Sequence, residues 1–241
     1  MATRTNIALS PRKLPIQDRS VASVDAILEA TIQVLLQVGK ERLTTTRVAA
    51  RAGVSVGTLY QYFPNKSALL QAVLRRHFDG ISDAMELVCK QQKGEPLRSM
   101  VTALITTFLQ AKLRDGKTSV AFYSVSSDVD GQKIAQQIGS RINKFIVRML
   151  SSSSESLTTD PQLVASLIQG MMSGVSRRIL ESDAPEKQLE ALRSELIVMA
   201  CTYIDVCTAP LKPIRDHMPN AIPKHASRKV RSVMHESVTI H

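Results

Sequence analysis

The 241-residue chain has three cysteines, Cys89, Cys201 and Cys207. They are too few and too scattered for a disulfide framework or a zinc site. Each reads as a small buried hydrophobe, and a reducing cytoplasm is the simplest compartment. No uninterrupted apolar run reaches the roughly 18 residues of a membrane span, so no membrane partner is expected. The N-terminus is basic but lacks the apolar core of a secretory signal. No segment sustains the period-two alternation of a half-buried strand, so no strands are expected. Nucleophile-elbow, P-loop, dinucleotide-binding and HExxH patterns are missing too. The chain therefore reads as a non-enzyme with no catalytic residue, no cofactor and no metal. Four of its five histidines, His217, His225, His235 and His241, lie near the C-terminus. Their wide spacing fits no tight ligand motif.

What is present is a chain that is 44% hydrophobic, enough for a real core, with a net charge of +10. The charge is unevenly placed. Residues 1–80 hold 11 Lys and Arg against 5 Asp and Glu, residues 81–208 hold 14 of each, and residues 209–241 hold 6 against 2. A neutral body with a basic head suits a protein that presents one end to a polyanion. Residues 1–19, with Pro11, Pro15, Arg4, Arg12, Lys13 and Arg19, read as a flexible basic arm. Residues 209–241, with four prolines in 210–223 followed by Arg228, Lys229 and Arg231, read as a basic tail.

Between these ends the pattern is helical throughout. Val24, Ile27, Leu28, Thr31, Leu35 and Val38 repeat at i, i+3, i+4 and i+7, and Gly39 is a natural stop. Pro64 and Asn65 open a long helix with Leu70, Val73, Leu74, His77, Ile81, Met85 and Val88 on one face, running to about Gln92. Pro96, Pro161 and Pro185 each precede an apolar-periodic segment, as the first helical turn tolerates proline. Helices are expected at about 96–114, 117–127, 129–153, 161–182 and 185–208, with Ser151 to Ser156 a serine-rich helix end and loop.

The most informative stretch runs from Leu43 to Leu70. Val48, Ala49, Ala52, Val54 and Leu59 fall at helical spacing around Gly53, which supplies a tight turn without steric cost. Ser55 is placed to cap the next helix. That helix is short, and its outer face is small and polar. Two short helices joined at a glycine, the second polar and exposed, make a helix-turn-helix whose second helix enters the DNA major groove.

The run TTTRVAARAGVSVGTLYQYFPNKSALL resembles the DNA-binding signature of the TetR family of bacterial transcription regulators. The matching positions are Thr44 and Thr45, Val48-Ala49, Ala52-Gly53-Val54-Ser55, Gly57-Thr58-Leu59-Tyr60, Tyr62-Phe63, Lys66 and Leu69-Leu70. The resemblance covers about residues 20–80. It implies an all-α fold: an N-terminal three-helix DNA-binding domain over 20–80, then a helical effector-binding and dimerisation domain over 81–208. It also implies that Thr45 donates to a phosphate, with Thr58, Tyr60, Tyr62 and Lys66 as further anchors. Thr46, Arg47, Ser55, Val56, Gly57 and Gln61 are the candidates for base contact. Gln61 suits adenine, Arg47 suits guanine, and Val56 suits only a thymine methyl.

The family resemblance further implies a homodimer through the last two long helices. The candidate stripe on the first is Leu163, Leu167, Ile168, Met171 and Val175. On the second it is Leu189, Leu192, Leu196, Met199 and Tyr203. Gly170 and Gly174 would let helices approach closely. A ligand cavity in the middle helices is implied as well, with Met85, Leu104, Phe108 and Phe122 as candidate lining, joined by Tyr123, Phe145, Met149 and Met172. Flexible and aromatic side chains of this kind suit an apolar or amphipathic small molecule. The expected function is a dimeric repressor on a pseudo-palindromic double-stranded DNA operator, released by such a ligand. The alternative is a DNA-binding regulator of the same fold governed by a protein partner or by its own level.

Overall fold

The computed structural model describes residues 18–126, 130–182 and 185–208. The arm and the tail therefore lie outside the described residues, apart from the first helical turn. Nine helices and no strand occur among the described residues: α1 (Asp18–Arg42), α2 (Thr45–Ala52), α3 (Val56–Tyr62), α4 (Lys66–Gln91), α5 (Leu97–Leu113), α6 (Gly116–Ser126), α7 (Gly131–Leu150), α8 (Pro161–Leu180) and α9 (Pro185–Thr208).

Side chains cap the starts of α2, α3 and α4 in the head. Thr44 accepts the Arg47 N–H at the start of α2, and Gly53 ends that helix in the left-handed conformation at φ 69°. Ser55 caps α3 by accepting the Thr58 N–H, and Asn65 caps α4 by accepting the Ala68 N–H. Such caps each contribute about 1 kcal/mol by satisfying end donors that lack a partner in the helix. Ile27, Val34 and Leu35 of α1 then pack with Leu43, Val48, Leu59 and Phe63 in one apolar cluster. By length and composition α1 is apolar enough to cross a membrane, but this buried face is what its hydrophobicity supplies.

Gly39 does more than stop a helix. Its φ of 76° and ψ of 170° break α1 one turn before Arg42. The Lys40 carbonyl lies in the last turn of α1, where helix carbonyls lack an intrahelical partner, and the Lys66 ammonium donates to it at 2.8 Å. The end of α1 is thereby tied to the start of α4.

Helix α4 runs on from the head into the body without interruption, so the boundary expected at residue 80 falls inside it. Its second half packs on α5 and α7. Helix α5 is the centre of the body, with Leu97, Met100, Val101, Leu104, Ile105 and Leu109 all buried. The serine-rich loop is not merely a connector. Glu155 accepts the Leu97 N–H at 2.7 Å, and Ser152 accepts the Gly94 N–H at 3.0 Å. Glu155 thereby caps α5, whose own N-cap, Pro96, has no side chain able to do so, and Ser152 holds the turn before it. All three cysteines are buried and free, as the sequence suggested. Burial pushes the Cys89 thiol up to about 12.

A polar cluster sits where α4, α5 and α6 meet. The His77 ring lies 4.9 Å from Phe122 and within 3.4 Å of the Ser119 hydroxyl. Lys112 lies over the Phe78 ring at 5.2 Å. Burial, reinforced by the Lys112 charge and opposed by Asp115, lowers the His77 imidazole from 6.5 to about 4. Burial also lowers Lys112 to about 8. Between these two values for His77 the unfolded chain binds a proton that the folded chain refuses, so stability falls as pH falls. Replacing His77 with Gln should remove that component. Thermal melts at about pH 7 and pH 4.5 should differ less for His77→Gln than for the wild type. An unchanged difference would place the acid sensitivity on other groups.

Candidate nucleic-acid interface

The outward side of α2 and α3 carries most of the side chains expected to meet DNA. Thr46, Arg47, Ser55, Gly57, Tyr60 and Gln61 are exposed, while Thr45, Val56, Thr58, Tyr62 and Lys66 are half-buried. They are not equally free. Thr45 Oγ1 and the Tyr60 hydroxyl lie 3.0 Å apart, joining the first turn of α2 to α3. The Ser55 hydroxyl accepts the Thr58 N–H at 2.9 Å and shares a second hydrogen bond with Thr58 Oγ1 at 2.8 Å. Ser55 and Thr58 are thus committed to the cap of α3. Val56 and Tyr62 rest against the apolar core.

The side chains of Arg47 and Gln61 form no hydrogen bond or ion pair among the described residues. Gly57 is informative in another way. A Cβ built there would meet only Ser55 Oγ, at an ordinary 3.6 Å. Glycine costs up to about 1 kcal/mol inside a helix, and no described residue crowds this position.

Lys66, expected at a phosphate, also donates to the Lys40 carbonyl. Sequence reasoning missed this partner because it lies 26 residues away, beyond the reach of local patterning. It also missed the Arg51 to Gln33 hydrogen bond of 2.7 Å that braces α2 on α1.

The residues expected around a ligand are scattered through the packed interior. Met85, Leu104, Phe108, Phe122, Met149 and Met172 are buried and Phe145 is half-buried, all in or against one continuous apolar cluster. The Tyr123 side chain lies outside the described residues. None of the seven described side chains lines either of two cavities. One, of about 800 Å³, lies among α1, the α5–α6 turn, α6 and the ends of α8 and α9. The other, of about 650 Å³, lies beside α5 and α9. A stripe of large apolar side chains signals burial alone; whether space is left beside it depends on how helices from distant parts of the chain cross.

Comparison with known proteins places this geometry. A family model described as "Bacterial regulatory proteins, tetR family" matches residues 27–73, and one described as "Tetracyclin repressor-like, C-terminal domain" matches residues 96–204. The chain belongs to the TetR family. Its helix-turn-helix is the DNA-binding element of a transcription regulator. Among curated relatives it is 24% identical over 152 residues to the nucleoid occlusion factor SlmA of Salmonella paratyphi B, covering 60% of this chain and 76% of that one. A TetR-family transcriptional regulator from Mesorhizobium loti shares the fold at TM-score 0.68 and 18% identity, covering 80% of this chain and 100% of that one. The multidrug binding protein EbrR, solved with imidazole, shares it at TM-score 0.55 and 20% identity, covering 80% of this chain and 98% of that one.

Two measurements separate the roles at this surface. Lys66→Met should lower stability by about 1–3 kcal/mol, since the Lys40 carbonyl loses a charged donor. The slope of log affinity against log salt should fall by about one only if Lys66 also touches a phosphate. Replacing Arg47 or Gln61 with Ala should change the base pairs recovered in selection from random duplexes. Unchanged preferences for both variants would move specificity to Thr46 or to DNA shape.

Proposed function

We propose that this TetR-family regulator acts as a homodimer on a pseudo-palindromic operator, represses from it, and leaves it when a small apolar or amphipathic ligand binds. The observation that supports the dimer is an apolar face of α8 and α9 left exposed among the described residues. Leu163, Leu167, Val198 and Met199 are between 46% and 58% exposed. Beside them Gly170 and Gly174 have nothing within 4 Å of a Cβ position. Exposed apolar side chains flanking small residues on two neighbouring helices suit a two-fold packing of helices.

Two residues expected in that contact belong elsewhere. Ile168 is fully buried and Leu196 is 2% exposed, both inside the protomer's own core. Met171, Val175, Leu192 and Tyr203 are half-buried against that core and border the face. Leu189 lies at the wall of both cavities. The stripes in the sequence therefore mix two surfaces. Helical periodicity marks an apolar face but does not say whether it turns to its own chain or to a copy.

A dimer explains why one short reading helix suffices. Two copies of α3 would enter successive major grooves about one helical turn, or somewhat more, apart. The basic head supplies a phosphate attraction that must weaken with salt. The second reading, a regulator of the same fold without a small-molecule effector, draws on the likeness to the nucleoid occlusion factor.

Leu167→Glu and Met199→Glu should yield folded monomers that have lost operator affinity, read by light scattering and by DNA titration. Leu196→Glu should instead fail to fold or melt far below the wild type, because it buries an unpaired charge. Folded dimers from Leu167→Glu and Met199→Glu would place the interface on another face.

A further inference from the structure

The cavity of about 800 Å³ joins the head to the body. Its walls are Leu35, Leu36, Gly39 and Lys40 of α1, Val120 and Ala121 of α6, and Ile179 and Leu180 at the end of α8. The volume lies within the range of about 300–1,000 Å³ typical of small-molecule sites. The wall is mostly apolar, and the polar groups on it are mostly satisfied from within. The Ser124 hydroxyl donates to the Ala121 carbonyl at 2.6 Å. The Asp115 carboxylate accepts both the N–H and the hydroxyl of Thr118, capping α6.

The wall carries more positive than negative charge. Arg114 and Lys117 stand beside its one acid, Asp115, which is spent on the α6 cap, while Lys40 pairs with Glu41 at 3.8 Å. Arg114 and Lys117 are exposed, and neither forms a salt bridge among the described residues. An apolar trough with unpaired cations at its edge suits a molecule with an apolar chain and an anionic head.

We propose that this cavity binds an amphipathic anion, a carboxylate on a single apolar chain, and that its occupancy releases the DNA-binding head. The proposal rests on the ligand-release reading above and names its site and ligand class. The coupling follows from what the walls hold. The segment Gly39–Lys40 lies three residues before Leu43 and the start of α2, and its Lys40 carbonyl holds Lys66 at the start of α4. On its other side α6 carries Ser119 and Phe122 against His77 of α4. A chain wedged between α1 and α6 therefore bears on both helices that position α2 and α3. It shifts operator affinity only by as much as it prefers one placement of these helices over the other. Operator DNA must then weaken the ligand by the same factor.

The test uses the full-length protein with dodecanoate, against dodecanol and dodecyltrimethylammonium as neutral and cationic controls. Calorimetric titration should show dodecanoate binding at least tenfold tighter than either control. Val120→Trp fills the cavity from a half-exposed position, and the double variant Arg114→Glu, Lys117→Glu reverses its charge. Each should weaken dodecanoate at least tenfold while operator affinity without dodecanoate stays near wild type. Leu104→Trp, in the α5 core, should leave dodecanoate affinity unchanged in whatever fraction folds. Absence of dodecanoate binding, or binding that survives both cavity variants, would overturn the site. Loss of operator release in Leu104→Trp alone would retain a ligand-released regulator but overturn this location. Dodecanoate binding that Val120→Trp abolishes, with operator affinity unaffected by dodecanoate, would keep the site and overturn the release.

Discussion

Helix α4 has to satisfy two sets of neighbours with one apolar stripe. Leu69, Leu70, Val73 and Leu74 are buried in the head, and Ile81, Met85 and Val88 are buried in the body. The helix is continuous between them, so a rotation or tilt that improves packing at one end is felt at the other. Interiors packed as densely as crystals do not absorb such a shift smoothly. Helices α1, α5, α6 and α7 all pack on α4. The Lys66 hydrogen bond sets its start, and α5 and α7 clamp its second half.

That arrangement explains the distribution of polar chemistry in the interior. Buried polar groups are costly unless paired. Several of them meet between helices: His77, Lys112 and Ser119 of α4, α5 and α6, and Asn143 with Gln162 and Gln169 between α7 and α8. The cluster around His77 lies on the side of α6 away from the larger cavity. Helix α6 thus joins the polar packing through Ser119 and walls the cavity through Val120, Ala121 and Ser124.

The DNA-facing surface follows a different logic. Its residues divide into those that hold the head together and those that are left over. Thr44, Ser55, Thr58 and Asn65 close helix ends, and Thr45 and Tyr60 join α2 to α3. Arg47, Gln61 and the bare backbone at Gly57 are what the fold does not consume. Positioning and reading are separate tasks in protein–DNA contacts, and on this head different side chains are available for each.

The helix-turn-helix was legible in sequence because every one of its signals is local. Caps, a left-handed glycine and apolar positions three and four apart involve residues within one or two turns of each other. The prolines at 161 and 185 marked helix starts for the same reason, and α8 and α9 begin at these residues. The occupation of Lys66 by a carbonyl 26 residues away was not legible. Neither was the capping of α5 by Glu155, nor the split of the α8 and α9 stripes into core and exposed face. Nor could the sequence show where a cavity opens, because empty space belongs to no residue. It is defined by the crossing of helices distant in sequence, as where Leu36, Val120 and Leu180 face one another. Sequence alone determined the helices, their ends and the family they belong to, since short-range hydrogen bonds and periodicity encode these. Tertiary structure alone decided which apolar faces meet, which polar groups are spent and where room remains, since these depend on contacts between segments far apart in the chain.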